Sequence, residues 1–196
     1  MNFLLKISRL IDAINELVGR NIYWLVLAAV IVSAVNAIVR KVFDRSSNAY
    51  LELQWYLFSA VFLLGAGYTF LHNAHVRIDV LSSHYSRRFH TWMDIFGILV
   101  FLLPMALLAL WLSWPVFLDS WHSGEHSSNA GGLIVWPARL MVPVGFLLLT
   151  IQGISELIKR IAFLMGLIPD PLEAENVPTP EEELVAEIKA HGGIEQ

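Results

Sequence analysis

Two groups of residues are of a type that could do chemistry. The segment His122-Ser123-Gly124-Glu125-His126 carries the letters of an inverted zinc-protease motif. That chemistry needs both histidines on one helical face with a third ligand nearby. A central glycine, followed by Ser127-Ser128-Asn129 and Gly131-Gly132, argues for a polar loop instead. A second group is His72 and His75 at the end of one apolar stretch and His90 at the start of the next, on the same side. Two of these could ligate a haem from facing helices, as in the membrane anchor of a redox enzyme, although a histidine near a membrane surface is also easily hydrated. Cysteine is absent from the chain. That removes disulfides, thiolate nucleophiles and cysteine-ligated metal centres, and with them a membrane disulfide oxidoreductase. No phosphate-cradling glycine loop, activated serine or acid pair deep in an apolar stretch is present.

What remains are polar groups at the ends of apolar stretches. Glu52 and Tyr56 share a helix face one turn apart. His75, Arg77 and Asp79 follow at alternating positions, and Arg139 and Glu156 bracket the last apolar stretch, too far apart to pair. These seven residues are the candidate contacts with a partner or with lipid headgroups. No catalytic residue, metal ligand, substrate ligand or cofactor site is expected in the chain.

The elements that position them are set by composition. Hydrophobic residues make up 56% and charged residues 15% of 196 residues, against about 45–50% and about 25% in soluble domains, so the bilayer is the solvent this surface needs. No basic stripe is offered to nucleic acid. About 20 apolar residues cross the hydrocarbon, and four stretches qualify, at about 21–39, 53–74, 95–118 and 140–158. The fold class is therefore all-α integral membrane with four transmembrane helices. Residues 3–18 alternate apolar and polar positions at helical spacing, which predicts an N-terminal amphipathic helix in the membrane interface or on a partner. Residues 79–90 predict a short interfacial helix between spans two and three, and 123–132 an irregular polar loop. Trp114, Trp121 and Trp136 fall at aromatic-belt positions. Residues 1–168 form the membrane domain and 169–196 an acidic, proline-containing tail with a short helix-start signature at Thr179-Pro180.

With Asp12 and Glu16 interrupting any signal-peptide core, span one is expected to act as an uncleaved anchor. Lys6, Arg9, Arg20, Arg77, Arg87, Arg88, Lys159 and Arg160 fall on one side of the membrane, and Arg40, Lys41, Arg45 and Arg139 on the other. The richer side is cytoplasmic, which puts both termini inside. Ser46-Ser47-Asn48-Ala49 recurs as Ser127-Ser128-Asn129-Ala130, with Trp55 and Trp136 at the same offset. A duplicated hairpin would explain the echo, but spans one and three do not align at that offset.

Three stretches carry a resemblance: Glu52-x-x-x-Tyr56-Leu57-Phe58; Phe62-Leu63-x-Gly65-x-x-Tyr68; and His75-Val76-Arg77-Ile78-Asp79-Val80-Leu81. Over about residues 10–165 the chain resembles the small membrane subunit of the tripartite ATP-independent periplasmic (TRAP) transporters. Ser127-Ser128-Asn129, Trp136-Pro137, Pro143-x-Gly145-Phe146 and Gln152-Gly153-x-Ser155-Glu156 resemble a branch labelled for mannitol or chloroaromatic compounds. Trp55 departs from the polar or basic residue the family often has before the tyrosine. The resemblance implies a bacterial inner-membrane scaffold subunit of a secondary active importer of organic acids or related solutes. Its implied partners are a large multi-span subunit, which holds the sodium ions, a periplasmic solute-binding protein and membrane lipids.

Overall fold

Residues Asn2–Phe43 form one helix, α1. At 1.5 Å per residue it is about 63 Å long, twice the roughly 30 Å of bilayer hydrocarbon. The computed structural model describes residues 2–44, 47–72 and 87–169. In it the amphipathic stretch and the first span are continuous, because no proline interrupts them and Gly19 stays helical with the Tyr68 ring laid against it. An interfacial helix would turn its polar face to water. Here Ser8, Asp12 and Asn15 turn towards another helix of the bundle, while Phe3, Leu10 and Leu17 point outward.

Helix α2 spans Asn48–Leu71 and α3 spans Arg87–Gly97. A π-helical turn, Ile98–Leu102, joins α3 to α4, Leu103–Ser123, so that Arg88–Ser123, 36 residues, is one unbroken membrane-length rod. The wide turn sits just before Pro104, which has no N–H to donate and whose ring collides with the carbonyl four residues back. One extra residue in the turn relieves both. Residues 87–90 of the expected interfacial helix are the first turn of α3; the rest of that segment and the tail from 170 lie outside the described residues. Helix α4 stops at Gly124 in the left-handed conformation (φ 59°), and α5 runs Trp136–Leu164. All four rods are long and apolar enough to cross a membrane.

Helix α5 is the centre. It touches α1, α2, α3 and α4, whereas α1 and α4 do not meet. The bundle is inside-out relative to a soluble protein: Phe62 and Trp111 are 76% and 78% exposed, while the largest fully buried side chains are Gln152, Asn15, Pro143, Ser8, Ser120 and Ser155. Lipid tails are as apolar as leucine, so helices gain nothing by hiding large apolar side chains from them; close backbone approach and interhelical hydrogen bonds hold them instead. On α1 the inward positions Ser8, Asn15, Ala29 and Asn36 recur at multiples of seven, the period of left-handed helix packing.

The closest approach of a glycine to another helix's backbone is at Gly145 of α5, where an added Cβ would lie 2.6 Å from the Leu63 carbonyl oxygen of α2. Gly145→Ala should therefore destabilise the bundle by about 1–3 kcal/mol through overpacking. Gly97→Ala, where a Cβ meets open space, should be neutral or slightly stabilising. Thermal unfolding of the two variants in detergent checks the contrast.

Candidate functional site

The bundle carries two polar clusters, one at each end of α5. At the α5 N-terminal end the focus is Glu52, in the second turn of α2 and only 5% exposed. Its carboxylate accepts from the Ser127 hydroxyl, from Asn129 Nδ2 at 2.8 Å and from the Leu133 backbone N–H at 2.6 Å. One turn along, the Tyr56 hydroxyl donates to the Ile134 carbonyl at 3.2 Å, and Asn48 Nδ2 donates to the Ala130 carbonyl at 3.0 Å. The loop 124–135 that these groups hold is itself closed by Ser127 N–H to Leu133 carbonyl (2.9 Å) and Val135 N–H to Glu125 carbonyl (3.1 Å). Gly131 turns at φ 72°, and Gly132 has no room for a side chain beside Ser127 and Glu52. An ion pair between Glu125 and Arg139 ties the loop to the start of α5, where Trp136 meets Trp121 edge-on at 4.5 Å. A carboxylate engaged by three donors of one loop is suited to holding that loop.

At the other end α5 places Gln152, Ser155, Glu156, Lys159 and Arg160 on successive turns facing α1 and α3. Asp12 of α1 accepts from Gln152 Nε2 (2.9 Å), Ser155 Oγ (2.7 Å) and Lys159 Nζ (3.2 Å). Asn15 Nδ2 donates to Gln152 Oε1 at 2.9 Å, and the Ser8 and Ser155 hydroxyls meet at 2.7 Å. Glu156 is ion-paired with both Lys159 and Arg160, and Arg160 reaches Asp94 of α3 at 3.2 Å. Three carboxylates and two cations thus join three helices, each charge facing an opposite one, as burial demands.

Of the residues singled out in the sequence, Glu52, Tyr56 and Arg139 come together around one loop. Glu156 sits in the other cluster, about 25 Å along α5 from Arg139 by helical rise. His75, Arg77 and Asp79 lie outside the described residues. The zinc-motif histidines share no helical face: His122 ends α4, while His126 follows the Gly124 turn and bridges to Ile134, with Glu125 taken by Arg139. His72 binds Glu16 through Nε2 at 2.7 Å, which engages the ring nitrogen a haem would use. Sequence reasoning missed Ser8, Asn15, Asp12 and Gln152 as interior groups. The seven-residue spacing of Ser8 and Asn15 on α1, shared with Ala29 and Asn36, was the available signal for those two. It also missed Ser127 and Asn129, although the repeated Ser-Ser-Asn-Ala pointed at them: Asn48 of one copy and Asn129 of the other both belong to the Glu52 cluster.

Four membrane-length helices, three of them packed around a polar-stitched central rod, define a small membrane scaffold. Residues 27–163 match the family described as the tripartite ATP-independent periplasmic transporters, DctQ component, and the chain belongs to that family. It is the small membrane component of a binding-protein-dependent secondary transporter. Comparison with curated proteins and with solved structures returned no match.

Removing the Glu52 carboxylate strands the donors of Ser127, Asn129 and Leu133, at about 1–3 kcal/mol for each one left unsatisfied. In Glu52→Ala the Leu133 amide should exchange with deuterium much faster than in the native chain, while amides in the middle of α5 keep their protection. Unchanged exchange at Leu133 contradicts the role given to Glu52.

Proposed function

We propose that this chain is the fixed brace of its transporter. It holds a large multi-span subunit upright while that subunit carries the solute and its coupling sodium ions across the membrane, and a periplasmic solute-binding protein delivers the solute. The observation that carries the reading is the placement of its polar side chains. On α5 the charged and amide groups are consumed in contacts with α1, α3 and the 124–135 loop or with one another, and large apolar groups are turned outward to lipid or a partner. A subunit with this distribution resists internal rearrangement and offers no path for an ion of its own.

On this reading both termini are cytoplasmic, the Glu52 loop faces the periplasm, and the solute is an organic acid or a related small solute. Cofactors play no part in this chain. The segment carrying His75, Arg77 and Asp79 would orient the assembly at the cytoplasmic surface, and Glu52, Tyr56 and Arg139 would set the periplasmic surface.

Pull-down of the tagged chain from its native host in mild detergent should recover a much larger multi-span protein in stoichiometric amount. Recovery of a soluble redox subunit, or of no partner, overturns the proposal. Arg77→Ala and Asp79→Ala should insert normally yet lower complex yield or solute uptake severalfold. Normal yield and normal uptake in both variants sink that part of the proposal.

A further inference from the structure

Between α1 and α2, where the uncharged part of α1 begins, lies an open groove of about 730 Å³ lined by Glu16, Gly19, Arg20, Asn21, Tyr23 and Tyr68 among others. Its residue types are ordered along α1. Glu16, Arg20, Tyr23, Leu27 and Val30 follow at steps of four and three and so share one helix face. That face runs from carboxylate through guanidinium and phenol to exposed aliphatic side chains, and Glu16 and Arg20 are about 6 Å apart in rise. This is the order of groups met when passing from the headgroup of a phospholipid into its acyl chains.

The groove also has unspent hydrogen-bonding capacity. The Arg20 guanidinium and the hydroxyls of Tyr23 and Tyr68 have no hydrogen-bond partner among the described residues. Glu16 uses Oε2 for His72 at 2.7 Å, with Oε1 left to accept a further donor. Because Gly19 has no Cβ, the Tyr68 ring can lie directly on α1 and line the groove. Two other grooves among the described residues lack such free groups. In the one near the π-helical turn, about 660 Å³, Arg160 is already paired with Asp94 and Glu156. The one beside Trp111 and Trp114, about 510 Å³, is lined by apolar residues and indole rings.

We infer that the α1–α2 groove is a phospholipid site selective for phosphatidylethanolamine. The phosphate sits on Arg20, the ammonium donates to Glu16, the tyrosine hydroxyls donate to the glycerol ester oxygens, and the acyl chains follow Leu27 and Val30. Selectivity comes from Glu16. A glycerol headgroup brings no cation to the carboxylate, and a choline headgroup brings a cation with no N–H to donate.

Native mass spectrometry tests this on the detergent-solubilised chain, with its large partner where the two copurify, offered equal amounts of phosphatidylethanolamine, phosphatidylglycerol and phosphatidylcholine. The native chain should retain phosphatidylethanolamine in preference to the others. Arg20→Ala, or Arg20→Gln if the alanine variant does not fold, should lower retention by about tenfold, the scale of one charge-assisted contact. Glu16→Gln should still bind lipid but lose the preference, and Lys41→Ala at the far end of α1 should behave as the native chain. An excess of glycerophosphoethanolamine, which has the headgroup without acyl chains, should leave the lipid in place. Equal retention of the three lipids by the native chain, no retention, undiminished retention in the Arg20 variants, or displacement by the chain-free headgroup each overturns the inference.

Discussion

The polar side chains that α5 turns inward must find partners on a neighbouring element or on an adjacent turn of α5 itself, because the bundle interior supplies no water. This requirement organises the molecule. Gln152 and Ser155 need Asp12 and Asn15, so α1 must run alongside the last turns of α5. Arg160 needs Asp94, so α3 must start beside them. Glu52 needs the donors of residues 127–133, so the loop between α4 and α5 must fold back over the start of α2. Individually such contacts are weak: side-chain hydrogen bonds between membrane helices average about 0.6 kcal/mol. Their force lies in the alternative, since any slide of one helix past another would strand several buried groups together. The clusters therefore specify one register more than they add stability.

The same requirement explains the glycines and small residues. Hydrogen bonds between short side chains such as Ser8 and Ser155 close only if the backbones come near. On the α2 side Gly67 lies against Asn15 and the Leu148 carbonyl, and Gly145 against Leu63. Apolar bulk is left to the periphery, where phenylalanine and tryptophan face outward.

Much of this was legible in the sequence, and the parts that were not fail for a common reason. The four spans follow from stretches such as 21–39 and 95–118, long enough and apolar enough to admit no other reading. The pairing of Glu52 and Tyr56 on one face of α2 follows from helical spacing. The object of that pairing did not, because a loop such as 124–135 has no period, and only the echo of Ser-Ser-Asn-Ala hinted that it belongs with Asn48. Residues 3–18 were read as a separate amphipathic helix because a polar stripe normally faces water. In a membrane bundle the stripe can face inward, and Asp12 and Asn15 became interior groups for which α5 supplies Gln152, Ser155 and Lys159 as partners. Helical period tells which residues share a face, but not which solvent that face meets.

The central claim is that this chain moves as one body. It brings no cysteine of its own, so pairs of spin labels can be placed on the outer faces of α1, α4 and α5 without background. Double electron–electron resonance in the reconstituted complex, with and without the ion gradient, then measures distances within the chain and from the chain to the large subunit proposed as its partner. The account predicts one unchanged distance distribution for every pair within the chain, while pairs that bridge to the partner shift with transport state. A distance between α1 and α5 that changes with transport state would contradict it.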